Sequence, residues 1–220
     1  MRPEDRMRMT RRARCILLVS IWIIAFAAAL ALDRQVAEHI HHAKVPPINR
    51  LGWLAWALKL PGYFPVTLVV AGVLGFFHRR SWAVAIPLIL SGPLVGIAYT
   101  LLKWIVGRRR PVIVITPFAF HPFAHGLTGL IHAESGLSFP SGHTALAFAS
   151  ATCLAATFPR WAMLFFLVAV AVGVERVLEN AHYVSDVVAG AGVGTLCAWA
   201  AMQLSAAFLQ ERKLIPSSSV

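Results

Sequence analysis

Residues 82–102 read WAVAIPLILSGPLVGIAYTLL, 21 residues without a charge, closed at once by Lys103. A helix needs about 20 apolar residues to cross the hydrocarbon core of a bilayer, and this stretch supplies them. Working outward, the pattern recurs. Cys15–Leu32 has 18 uncharged residues, and Val187–Leu209 has 23, broken only by Gln203 and a few small polar residues. Gly62–Phe77 is a further span, led in by Ile48–Leu60, where Trp53, Trp56 and Lys59 suit a helix lying among headgroups. Two runs are short: Thr144–Phe158 has 15 residues and Trp161–Val174 has 14. Each crosses only by extending, the first back to His143 and the second onward to Glu175 and Arg176. Those polar side chains therefore belong at the membrane boundary. The expectation is an all-α, integral-membrane six-helix bundle.

The composition leads the same way. Of 220 residues, 58% are hydrophobic and 13% charged, where an average soluble domain is about 25% charged. The mean hydropathy is +0.70. An ordinary soluble enzyme, a disordered tail and a secreted disulfide module are excluded. The net charge of +11 is broken up by apolar runs, so the lipid bilayer is the expected partner and nucleic acid is not. Cys15, Cys153 and Cys197 all lie in apolar stretches, which reads as packing rather than a disulfide framework. The first span follows arginines and contains Ala29-Leu30-Ala31, as a signal peptide would. Its 18-residue core exceeds the roughly 7–15 residues of a signal h-region, and it is read as a retained span.

Charge sets the expected orientation. Residues 1–14 hold six arginines against Glu4 and Asp5. Arg79, Arg80, Arg160, Arg212 and Lys213 fall on the same side if six helices alternate, and the positive-inside rule makes that side cytoplasmic. The expected organisation is a basic cytoplasmic N-terminus over 1–14, a six-span domain over 15–209 and a cytoplasmic tail over 210–220. That placement suits a bacterial inner (plasma) membrane.

The same parity puts 103–142 and 175–186 outside the cytoplasm, with Lys103, Arg108, Arg109, Arg110 and Arg176. Cations on that side work against the topology signal. Arg offers a planar fork of donors suited to phosphate, and Lys a compact charge. On the same side are His182 and Asp186, four apart, as one helical face would bring together. A carboxylate there holds one imidazole nitrogen and leaves the other as a nucleophile or base. Before the fourth span stands Pro140-Ser141-Gly142-His143. Ser141 is a natural N-cap, Gly142 lets backbone approach a ligand, and a helix N-terminus binds anions.

With these residues in view, the chain resembles the type 2 phosphatidic acid phosphatases, within the superfamily shared with vanadium haloperoxidases. Lys103, six residues, then Arg110-Pro111 match the first element of its signature. Pro140-Ser141-Gly142-His143 match the second. Arg176, five residues, His182, three residues and Asp186 match the third. Glu175 departs, standing where the family has Ser. A carboxylate there repels phosphate unless it points away or pairs with a spare arginine such as Arg108 or Arg109. The resemblance implies that His182 forms a phosphohistidine, oriented by Asp186, and that His143 protonates the leaving group and then activates water. It implies that Lys103, Arg110, Ser141, Gly142 and Arg176 bind the phosphate oxygens. No cofactor and no metal is expected, because fixed cations take the metal's place and the active face offers only Glu134, Glu175, Glu179 and Asp186 as carboxylates. The implied substrate is a membrane phospholipid or isoprenoid phosphate: undecaprenyl pyrophosphate, phosphatidic acid or phosphatidylglycerol phosphate, or lipid A. The sequence carries no signal of oligomeric state.

Two other classes compete. A lipid or ion transporter calls for ionisable residues in mid-membrane, and the spans hold almost none. A vanadate-dependent haloperoxidase shares the anion site but is normally soluble. Of the remaining polar residues, His39, His41 and His42 are expected on a partly exposed interfacial helix, not around a metal. His121, His125 and His132 lie in a long loop of the kind that forms lids. Trp22, Trp53, Trp56, Trp82, Trp104, Trp161 and Trp199 read as an aromatic belt. Arg108 and Arg109 read equally as headgroup contacts or as part of the site.

Overall fold

A computed structural model describes residues 3–43, 52–77, 81–113, 119–123, 126 and 136–213. Among these residues the chain forms seven α-helices: α1 (Pro3–His42), α2 (Trp53–Lys59), α3 (Phe64–Phe77), α4 (Ser81–Val106), α5 (Gly142–Thr157), α6 (Ala162–Leu178) and α7 (Val184–Lys213). A 3₁₀ turn, Leu60–Gly62, joins α2 to α3.

Four segments are long and apolar enough to cross a membrane: Cys15–His42, Ala83–Val106, Pro159–Leu178 and Val184–Leu209. Trp53–Gly62 and Phe64–Phe77 pass together as a fifth, bent by 68° where they meet. The remaining expected span is α5, with 16 residues. At 1.5 Å per residue it is about 24 Å long, less than the roughly 30 Å hydrocarbon core. It nevertheless packs against α4, α6 and α7, at the centre of the bundle. Boundaries shift: α1 runs on through Asp33 instead of ending at Leu32, α2 starts at Trp53, α4 runs on through Lys103 to Val106, and α7 starts at Val184 instead of Val187. Of the expected interfacial segment, 48–51 lie outside the described residues.

Small residues line the interior and large ones face out. Ala71, Ala85, Ala145, Ala149 and Ala198 are buried with Leu88, while Ile16, Ile24, Val69, Phe76, Phe77 and Leu196 are exposed. This inversion is what lipid as solvent dictates, since association there depends on close backbone approach rather than on removing apolar groups from water. α5 and α7 show it at two glycines. A Cβ at Gly190 would lie 2.6 Å from the Ser141 carbonyl oxygen, and one at Gly194 would lie 1.9 Å from that of Ala145. This helix crossing fixes α7, which carries Asp186, against α5, which carries His143.

α1 lies along α7 and buries Ala29, Asp33, Ala37 and Ile40, spaced four, four and three apart. Trp22 donates its indole N–H to the Val188 carbonyl at 3.1 Å and stacks on Phe26. These contacts pack α1 on α7. Trp104 likewise bonds Gly126 O. Trp53, Trp56, Trp161 and Trp199 are exposed, and the Trp82 side chain lies outside the described set.

Candidate active site

Three segments meet at one end of the bundle. α4 delivers Lys103 in its last turn, buried, with Nζ 5.1 Å from the centre of the Tyr99 ring. The chain then runs extended, Arg108 bridging to Phe120 and Arg109 to Leu137. Arg110 donates from Nε to the Leu137 carbonyl at 3.1 Å.

The second segment starts α5. Ser141 occupies the expected N-cap position, but its hydroxyl does not cap the helix. It accepts instead from Thr144 Oγ1 at 2.9 Å. His143 follows in the first turn, its ring edge-on to Tyr63 at 4.7 Å. Its Nε2 is buried without a hydrogen-bond partner.

The third segment links α6 to α7. The Asn180 carbonyl accepts from the Val112 N–H at 3.2 Å, tying this turn to the first segment. His182 precedes α7 by two residues, so it and Asp186 do not share a helical face as expected. The turn still brings them together, with Nδ1 3.6 Å from Asp186 Oδ2. That is an ion-pair distance, longer than a hydrogen bond, and Nδ1 has no hydrogen-bond partner. Asp186 is held by others: Oδ2 accepts from the Tyr183 N–H at 2.9 Å, and Oδ1 from Arg108 Nη1 at 2.6 Å. Burial pushes the His182 imidazole below its ordinary range. Asp186 pulls it up, and Arg110 and Lys103 push it down further. A neutral ring has a free lone pair, which a nucleophile requires.

Lys103, Arg110, Gly142, His143, Arg176 and His182 line one cavity of about 520 Å³. Ser141 and Asp186 are fully buried and are not among its lining residues. The cavity runs on along an apolar face made by Phe64 of α3 and Gly92, Pro93, Val95 and Tyr99 of α4. Its lining is therefore cationic with two histidines on one part and apolar on the other.

Glu175 behaves differently from either expectation. It neither points away nor pairs with Arg108 or Arg109. Its two oxygens take Arg176 itself, Oε2 to Nε at 2.7 Å and Oε1 to Nη2 at 3.0 Å. Arg176 also pairs with Glu179, and both carboxylates meet Lys59, with Glu175 at 3.4 Å. Lys59 is thus a member of the site's charge network that the sequence reading placed among headgroups. Arg108 is neither a headgroup contact nor spare: it is buried and bound to Asp33 and Asp186.

His39, His41 and His42 end α1 and are exposed, as is His121. His125, His132 and Glu134 lie outside the described residues. Among the described residues no three His, Cys, Asp or Glu side chains gather as a metal set.

The family model described as "PAP2 superfamily" matches residues 80–209. The lipid A 1-phosphatase of Rhizobium etli is 39% identical over 101 residues, 45% of this chain and 40% of that protein. The chain therefore matches about two fifths of that relative's length. The undecaprenyl-diphosphatase of Sulfolobus acidocaldarius is 24% identical over 191 residues, 86% of each chain. The crystal structure of the transmembrane PAP2-type phosphatidylglycerolphosphate phosphatase from Bacillus subtilis superposes with a TM-score of 0.59 at 23% identity, covering 93% of this chain and 98% of that one. That likeness is one of fold, and the fold is that of a multi-pass integral membrane protein.

Proposed function

The chain belongs to the PAP2 superfamily, and from that premise we propose that it hydrolyses the phosphate or pyrophosphate of a membrane lipid through a phosphohistidine at His182. One observation carries the reading: His143 and His182 share a cavity with Lys103, Arg110 and Arg176, and the rest of that cavity's lining is largely apolar. The cationic part fits a phosphate and the apolar part fits hydrocarbon.

The chemistry follows from the placement. The Nε2 lone pair of His182 attacks phosphorus as the bond to the leaving oxygen breaks, and His143 gives that oxygen a proton. His143 then takes a proton from water, whose oxygen displaces His182 from phosphorus. Lys103, Arg110, Arg176 and the Gly142 N–H hold the non-bridging oxygens, the electrostatic part of phosphoryl transfer. Asp186 stabilises the imidazolium that forms as Nε2 bonds to phosphorus. The donor set around the cavity is cationic and imidazole-rich, which supports fixed charges rather than a metal pair as the electrophilic element.

In this reading α5 crosses as the fourth of six spans, both termini are cytoplasmic and the cavity opens outside the cytoplasm. The substrates named for the relatives support lipid A, undecaprenyl pyrophosphate and phosphatidylglycerol phosphate as the substrate set, beside phosphatidic acid. The test is phosphate release from these lipids in detergent, with a chelator present. Wild type should release phosphate from at least one and be inhibited by vanadate. His182→Ala should release none and form no acid-labile phosphoenzyme. Full activity in His182→Ala, or loss to the chelator restored by added metal, overturns the mechanism.

A further inference from the structure

Asp33 is a carboxylate in a segment long and apolar enough to span the membrane, and it is 1% exposed. An ionisable group so placed is costly unless paired, and its partners point to its role. Its Oδ1 accepts from the Ser185 N–H at 2.9 Å, and its Oδ2 from Arg108 Nη2 at 2.7 Å and from the Ser185 hydroxyl. Arg108 reaches on with Nη1 to Ser185 Oγ at 2.7 Å and to Asp186 Oδ1 at 2.6 Å. Its guanidinium lies 4.0 Å from the centre of the Tyr183 ring. One buried cation thus bridges two buried carboxylates, one from α1 and one from α7.

Adhesion between helices does not require this arrangement. A buried ion pair is weak evidence for stability, because desolvation offsets the attraction, and α1 already holds α7 through Trp22. The charge count is more informative. Arg108 and Asp186 alone would form a neutral pair, and the carboxylate facing His182 would have its charge cancelled from behind. With Asp33 on the other edge of the same guanidinium, the group of three carries one net negative charge. That charge faces the imidazole which becomes cationic when Nε2 bonds to phosphorus. Asp186 is also fixed in place, Oδ1 by Arg108 and Oδ2 by the Tyr183 N–H.

We propose that Asp33 is a positioning residue for phosphoryl transfer: through Arg108 it holds Asp186 in place and leaves it the charge that stabilises the phosphorylated His182. The proposal rests on the reading of His182 as nucleophile. Nothing in it requires Asp33 to touch substrate, so substrate and phosphate binding should be spared.

The test is a double-mutant cycle in the purified full-length protein, using a lipid that wild type hydrolyses, with inorganic phosphate as the binding probe. Asp33→Asn should lower kcat about 10- to 100-fold, the range seen at metal sites when a partner that orients a ligand is removed. KM and inhibition by inorganic phosphate should stay within about threefold, and Asp33→Glu should recover part of the rate. Asp33→Asn combined with Asp186→Asn should be no slower, within about threefold, than Asp186→Asn alone, because coupled residues are non-additive. Unchanged kcat in Asp33→Asn, or losses that multiply in the double variant, would overturn the proposal. Should Asp33→Asn not survive extraction, Asp33→Ser, which removes the same charge and keeps a hydrogen-bonding oxygen, carries the same cycle. A fully active His182→Ala defeats the phosphohistidine reading itself. An inactive His182→Ala with multiplying losses defeats only the role of Asp33.

Discussion

Glu175 and Arg176 are buried neighbours whose side chains grip each other, and in the proposed reaction the phosphate must take that guanidinium. Two effects oppose one another when the carboxylate is removed. The anion gains a less contested cation, but a buried charge loses a partner, a change that destabilises by about 3–5 kcal/mol when nothing replaces it. Glu179 remains on Arg176, so the structural loss is partial. Glu175→Ser is expected to bind vanadate about five-fold more tightly, while unfolding in detergent a few degrees lower, measured by inhibition and by a thermal melt. Weaker vanadate binding would mean that Glu175 aims Arg176 instead of competing for it. The motif side chains were legible in the sequence because their types and spacings match the three-part signature of the family it resembles. Asp33 was not, because a charge after 18 apolar residues reads as the end of a span. Only the buried series Ala29, Asp33, Ala37 and Ile40, at helical spacing, could have revealed it. Lys59 was hidden by an equally good local reading, since a lysine beside tryptophans suits headgroups.

At the scale of elements, the site depends on how closely α5 and α7 approach. Gly194 faces the Ala145 carbonyl with no room for a methyl group, so any side chain there pushes α7 outward and takes Asp186 and His182 away from His143. Gly194→Ala is expected to lower activity more than tenfold and to shorten survival in detergent. Gly72→Ala, with nothing within 4 Å of the added carbon, should be silent in both phosphate release and thermal stability. Equal effects at the two positions would show that helix propensity rather than contact governs. The elements themselves were readable from run length. The 68° angle between α2 and α3 was not, because it is set by the Leu60–Gly62 turn packing on α5. α5 read as a marginal span for a physical reason: a helix enclosed by α4, α6 and α7 need not itself match the lipid thickness.

For the whole molecule, the excess of arginine in residues 1–14 and at Arg79-Arg80 predicts which way the bundle sits. With the native cysteines replaced, a cysteine at Ser218 should react with a membrane-impermeant reagent only from the cytoplasmic side. One at the exposed His121 should react only from the opposite side. Reaction of both from one side would reverse the proposed orientation or change the number of crossings. The cavity's apolar wall between Phe64 and the α4 residues Gly92, Pro93 and Val95 has a consequence for kinetics. A molecule held by that wall while its headgroup is cleaved arrives by diffusing in a plane, and it is counted per unit area rather than per litre. Inert lipid added to the same vesicles dilutes it as surely as buffer dilutes a sugar, and the rate should follow mole fraction while the bulk concentration stands still.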